Sequence, residues 1–262
     1  MSSLAKRVLT AALFIPIVLG CLYWGGLALF MLVLAASLVA VFELKVMLQQ
    51  IIGPISGTFL YLLATGILAL IYWQQELVMA PLMLTIFLVV AIKELISSQV
   101  QPLRRGGLIL LALFYGAILP GHFLLLRSEP QGFALLLMVV LGTWATDTGA
   151  YFIGIRWGRH QLAPRVSPNK SVEGACGGIL LAAWITQYIN SRLQLGLMPG
   201  WLMGLVVGVA AVIGDLFESA LKREAGVKDS GWILPGHGGV LDRIDSLLFS
   251  VPVVYYLVRW IG

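Results

Sequence analysis

Asp215, Glu218, Ser219 and Lys222 stand at i, i+3, i+4 and i+7, so in a helix all four share one face. Asp242, Asp245 and Ser246 repeat the i, i+3, i+4 spacing further along the chain. Carboxylates clustered without sulfur or imidazole suit a hard cation such as Mg2+, which binds one or two carboxylates and completes its shell with water and substrate phosphates. Zinc is disfavoured, because His122, His160 and His237 are scattered and Cys21 and Cys176 are far apart in sequence. The structural alternative for the Asp pairs is internal ion pairing, of Asp215 with Lys222 or of Asp242 with a neighbouring basic residue.

Between the two acidic faces runs a glycine-rich stretch, Lys228-Asp229-Ser230-Gly231-Trp232-Ile233-Leu234-Pro235-Gly236-His237-Gly238-Gly239. Its glycines permit backbone conformations in which successive N–H groups converge on an anion, and Lys222, Arg223, Lys228 and Arg243 supply positive charge. That combination fits a phosphate cradle, although it is not a Walker A loop, and a merely flexible loop is the plainer alternative. A second polar segment, Ser167-Pro168-Asn169-Lys170-Ser171-Val172-Glu173-Gly174, places Lys170 and the Ser171 hydroxyl at a helix start, where free N–H groups bind anions. An ordinary capping turn explains that segment equally well. Asp147 sits inside an otherwise apolar run, where a carboxylate is costly enough to suggest function.

The elements that must position these groups are membrane helices. Of 262 residues, 60% are hydrophobic and 11% charged, against about 25% charged in an ordinary soluble domain. Hydropathy and punctuation place spans near 8–24, 27–42, 52–73, 77–92, 107–126, 132–153, 174–190, 197–217 and 245–261. The first two are separated by Gly25 and Gly26, read as a tight hairpin with one long kinked helix as the rival. The expected fold is therefore an all-α polytopic membrane protein of about nine transmembrane helices. It divides into a scaffold over 1–130 and a catalytic region with a cytoplasm-facing polar cavity over 131–262, within one continuous membrane domain. In the scaffold, Glu43, Glu76, Glu94 and Glu129 read as charges near span ends, with Glu43 unassigned.

Basic residues orient the chain, because cytoplasmic loops are enriched in Lys and Arg. With the N-terminus inside, nine spans put all of the 17 basic residues except Arg127, Arg192 and Arg259 on the cytoplasmic side, so N-in, C-out is expected. The net charge of +5 is spread over loops between apolar spans, which favours attraction to anionic membrane lipids and excludes a nucleic-acid partner. Trp24, Trp73, Trp157, Trp201 and Trp260 fall at span ends as interfacial anchors.

The stretches Ser219-Ala220-Leu221-Lys222-Arg223, Lys228-Asp229 and Leu234-Pro235-Gly236-His237-Gly238-Gly239-Val240-Leu241-Asp242-Arg243-Ile244-Asp245 resemble the signature of the bacterial phosphatidate cytidylyltransferases, or CDP-diacylglycerol synthases, at every fixed position. Asp147, Ala150, Tyr151 and Gly154 look like a second family stretch. Ser167 to Gly174 look like a third, in which Thr-Trp often stands where this chain has Ser171-Val172.

The resemblance implies transfer of a cytidylyl group from CTP or dCTP to phosphatidic acid, giving CDP-diacylglycerol and pyrophosphate at a bacterial inner membrane, with a homodimer as one assembly. It implies Asp215 and Asp242 as Mg2+ ligands and Asp245 as a further ligand or orienting group, with the presence of a second metal left open. Lys222 joins these as a catalytic cation. Lys170, Ser171, Ser219, Arg223, Lys228, Asp229, His237, Gly238, Gly239, Arg243 and Asp147 are the expected substrate contacts. The rival from another class is a cation-coupled transporter, since intramembrane carboxylates also make ion pathways. No internal repeat supports it, and the chemistry-bearing charge is confined to the C-terminal half.

Overall fold

The computed structural model describes residues 3–74, 79–97, 100–196, 198–233 and 238–261. The elements are α1 (Ser3–Trp24), α2 (Gly26–Ile52), α3 (Gly57–Gln74), α4 (Met79–Ile96), α5 (Pro102–Leu113), a π-helical turn (Phe114–Ile118), α6 (Leu119–Ser128), α7 (Gly132–Trp157), β1 (Gln161–Ala163), β2 (Ser167–Ser171), α8 (Val172–Leu193), α9 (Gly200–Glu224) and α10 (Leu241–Ile261).

The protein is a polytopic, essentially all-helical membrane protein. Among the described residues six segments are long and apolar enough to cross a bilayer: Gly26–Ile52, Pro102–Ser128, Gly132–Trp157, Val172–Leu193, Gly200–Glu224 and Leu241–Ile261. Phe14–Trp24 and Gly57–Trp73 are shorter apolar helices. Each span read from hydropathy overlies a helix. Between α1 and α2 the helix is interrupted at Gly25, and Gly25 and Gly26 have φ of 66° and 50°, which residues with a Cβ rarely adopt. Helix α2 overruns the expected end at 42 by ten residues, because Glu43-Leu44-Lys45-Val46-Met47-Leu48 are good helix formers and nothing stops them before Gly53-Pro54. A short antiparallel hairpin, β1 with β2, departs from the all-α expectation in a stretch too short and polar to carry a strand period.

Two compact units make up the chain, one of residues 1–125 with 224–241, the other of 126–223 with 242–262. In the first unit Leu29, Val33, Ala40, Val41, Leu44, Met47 and Leu48 of α2 are buried, and α2 packs on α3 and on the π-helical turn. Arg105 at the start of α5 is buried, donates to Glu94 Oε2 at 3.1 Å and to the Pro54 carbonyl at 2.8 Å, and also bonds the Ile52 carbonyl. One guanidinium thereby joins the end of α2, the end of α4 and the start of α5, and the carbonyls freed by the break at Pro54 gain a charged donor.

In the second unit α7 lies directly against α8. A Cβ added to Gly149 would fall 2.9 Å from the Gly178 Cα, so the backbones meet where neither residue has a side chain. Thr186 of α8 donates its hydroxyl to the Gly200 carbonyl at 2.8 Å, tying α8 to the start of α9. Ser250 Oγ to the Val207 carbonyl at 3.3 Å and the Phe217–Phe249 ring pair tie α9 to α10.

Candidate active site

A cavity of about 640 Å³ opens within the second unit. Helix α7 contributes Asp147, β2 and the start of α8 contribute Lys170 and Ser171, α9 contributes Asp215, and α10 contributes Asp242, Arg243 and Asp245. The approach of α9 to α10 is set at Gly214, where a Cβ would lie 2.6 Å from the Asp245 carbonyl oxygen. A larger residue there would push apart the two helix faces that carry the acids.

That approach brings Asp215, Glu218 and Asp245 together, each with a carboxylate oxygen within 4.8 Å of the others. Glu218 is 1% exposed; its Oε2 accepts from Lys222 Nζ at 2.7 Å, while its buried Oε1 has no hydrogen-bond partner among the described residues. Lys222 Nζ also donates to Asp242 Oδ1 at 2.6 Å, and Lys170 forms an ion pair with Asp215. Asp245 Oδ1 accepts from the Ser246 amide at 2.7 Å.

Three carboxylates this close repel one another, and the two lysines neutralise only part of their charge. An all-oxygen donor set, one member of which has a buried oxygen left over, fits a hard divalent cation. Asp215 and Asp245 stand in this cluster, and its third member is Glu218. Asp242, also expected as a ligand, lines the cavity and accepts from Lys222 through Oδ1. The sequence signal for Glu218 was the shared helix face with Asp215.

The remaining expected residues divide. Ser171 caps α8, its Oγ accepting from the Gly174 amide at 3.1 Å, and it also borders the cavity. Glu173 accepts from the Arg159 and His160 amides at 3.0 and 3.2 Å and from His160 Nδ1 at 2.5 Å, which fastens the hairpin carrying Lys170 to the first turn of α8. Ser219 and Arg223 are not among the cavity-lining residues; Arg223 Nε donates to the Val166 carbonyl at 3.2 Å. Lys228, Asp229, Gly238 and Gly239 belong to the first unit, where Lys228 and Asp229 are exposed and Asp229 borders a smaller cavity of about 210 Å³. His237, in segment 234–237, lies outside the described residues.

Apolar side chains also line the larger cavity, Ala150, Tyr151, Ile155, Leu162 and Val212 among them, and Tyr151 and Ile155 are exposed as well. The site thus combines cationic groups, acids that could bind a metal and apolar side chains, a lining that suits a substrate that is half phosphate and half hydrocarbon.

Lysines and acids around one cavity in a multi-pass helical protein are groups suited to holding phosphates through a cation. The cytidylyltransferase family model matches residues 5–261, and this chain belongs to that family of nucleotidyltransferases. It is 35% identical over 275 residues to a Bacillus subtilis (strain 168) protein named phosphatidate cytidylyltransferase, covering 98% of each chain. Staphylococcus epidermidis (strain ATCC 12228 / FDA PCI 1200) has a protein of the same name, 37% identical over 259 residues, covering 96% of this chain and 98% of the relative. A third, from Staphylococcus aureus (strain COL), is 31% identical over 262 residues with the same coverage. None of these matches favours a transporter.

Proposed function

We propose that the chain transfers a cytidylyl group from CTP to phosphatidic acid. A phosphate oxygen of phosphatidic acid attacks the α-phosphorus of CTP, the bond from that phosphorus to the bridging oxygen of the β-phosphate breaks, and CDP-diacylglycerol and pyrophosphate result. The nucleophile is already an anion at neutral pH, so the protein's task is to bring two anions together and to stabilise the charge that shifts to the leaving group. The convergence of Asp215, Glu218 and Asp245 beside two lysines, with Asp215, Asp245 and Lys170 lining one cavity, carries this reading.

Asp215, Asp242 and Asp245, with Glu218 beside them, would hold Mg2+, which would neutralise phosphate charge and polarise the phosphoryl oxygens. Lys170 and Arg243, on the cavity wall, bind substrate phosphates, and Lys222 holds Glu218 and Asp242 in place from between them. Asp147 lines the same wall as an orienting acceptor. Ser219, Arg223, Lys228, Asp229, His237, Gly238 and Gly239 are assigned to the substrates on the strength of the signature. dCTP serves as an alternative nucleotide and a homodimer as the assembly.

The chain crosses the bacterial inner membrane nine times with its N-terminus and cavity mouth cytoplasmic, residues 1–130 acting as scaffold and 131–262 carrying the reaction. Two contacts support this alternation. Arg105 gathers the ends of α2 and α4 and the start of α5, all of which the basic-residue rule puts inside. Arg259 Nη1 meets Glu129 Oε1 at 3.5 Å, joining the end of α10 to the loop before α7, both of which the same rule puts outside.

The test is pyrophosphate release by purified protein in detergent with phosphatidic acid, Mg2+ and each nucleoside triphosphate. Release with CTP or dCTP alone, abolished in Asp215→Asn, is the expected result; no release with any nucleotide from folded protein overturns the reading.

A further inference from the structure

Glu43 lies within α2 and is 1% exposed, far from any role the cavity gives to carboxylates. Among the described residues it is bonded by Ser230 and Val240, in the segment between α9 and α10, and by Leu241, the first residue of α10. Oε1 accepts from the Val240 amide at 2.9 Å, and Oε2 accepts from the Leu241 amide at 2.9 Å and the Ser230 hydroxyl at 3.1 Å. The segment is shaped around this carboxylate. A Cβ on Gly231 would fall 2.5 Å from Oε1, and one on Gly239 2.6 Å from Oε2.

A buried carboxylate is costly, and an oil-facing helix has cheaper ways to bind a loop. This one holds the amides of the two residues immediately before Asp242, at the start of the helix whose first turns carry Asp242 and Asp245. Such amides are the orphan donors of a helix N-terminus, and a full negative charge is their strongest acceptor.

We propose that Glu43 is a positioning residue for the reaction: by fixing Val240 and Leu241 it sets where α10 begins, and so how Asp242 and Asp245 are presented to Lys222 and to the cation. The proposal rests on the cytidylyltransferase reading for its second consequence, and not for its first. Glu43→Gln keeps the size but exchanges one accepting oxygen for an N–H donor, so at least one of the two amides loses its acceptor.

The experiment compares wild type, Glu43→Gln, Gly231→Ala and Glu94→Gln in the same detergent. Amide hydrogen exchange over 227–241 is read first, then the Mg2+ concentration giving half-maximal pyrophosphate release. Exchange in that segment rises about tenfold or more in Glu43→Gln, and the half-saturating Mg2+ rises by about 10- to 100-fold, the range for residues that orient metal ligands. Gly231→Ala, which forces the loop off Glu43 without touching its charge, shifts both in the same direction and decides the matter should Glu43→Gln not fold. Glu94→Gln, a buried carboxylate of the same unit paired with Arg105, controls for general loosening and leaves the Mg2+ response where it was. Unchanged exchange in Glu43→Gln and Gly231→Ala, or raised exchange with unmoved Mg2+ dependence in active protein, overturns the proposal. A wild type that releases no pyrophosphate fails the cytidylyltransferase reading instead, and the exchange measurement then still decides whether Glu43 holds the loop.

Discussion

At the scale of single residues, Asp215, Glu218 and Asp242 each meet a lysine, whereas Asp245 accepts from the Ser246 amide. Glu218 and Asp245 both belong to the three-carboxylate cluster. Glu218→Gln and Asp245→Asn should each reduce turnover more than about 100-fold at fixed Mg2+, because each removes a donor from the cluster itself; a loss under tenfold in either would remove that residue from the metal set. Lys222 stands between Glu218 and Asp242, all three largely buried. Lys222→Met leaves two acids facing each other without their cation, a loss that costs about 3–5 kcal/mol where buried pairs are broken, so thermal unfolding in detergent should fall by several degrees, and Lys222→Arg should restore part of it. An unchanged unfolding temperature in Lys222→Met would show that the lysine is bound to something other than these acids. The acids on α9 and α10 were legible in sequence because helical spacing alone stacks Asp215 with Glu218 and Asp242 with Asp245. Which acid is spent on Lys222 was not legible, since that is settled by how α9 and α10 rotate against each other.

At the scale of elements, close backbone contact does the work that hydrophobic burial does in water, because lipid is as apolar as a leucine side chain. The α7–α8 pair shows it most directly, with Gly149 of α7 set against Gly178 of α8. Gly178→Leu should prise these helices apart and lower both activity and unfolding temperature, whereas Gly66→Leu on α3, where a Cβ meets nothing within 4 Å, should leave both within error; equal effects in the two variants would argue against a specific glycine seam. Helix positions were readable from apolar length and from Gly and Pro breaks. The overrun of α2 was not, because a charge at residue 43 looks like a span end when its partners lie almost two hundred residues away. For the same reason Glu43 had no assignment from sequence. The β1–β2 hairpin was hidden by its brevity, and it takes its order from Glu173 rather than from strand propensity.

At the scale of the whole molecule, the exposed surface is that of a chain meant for oil. Large apolar side chains such as Leu62, Leu180 and Trp184 stand more than half exposed, and Trp24, Trp73 and Trp260 mark helix ends at 75%, 75% and 88% exposure. The nine-span alternation predicts that a single cysteine at Ser167, in protein lacking Cys21 and Cys176, is labelled by an impermeant thiol reagent only when the cytoplasmic face is open, and one at Ser128 only from the other face. Labelling of both from one side would break the alternation. Tyr151 and Ile155 line the cavity and are also exposed. A lipid whose headgroup enters beside them keeps its chains in the sheet of lipid around the protein, so the enzyme meets it in two dimensions. Its rate should then follow the mole fraction of phosphatidic acid among detergent and lipid molecules, falling when inert detergent is added at constant bulk phosphatidic acid, while the response to CTP follows ordinary concentration in water.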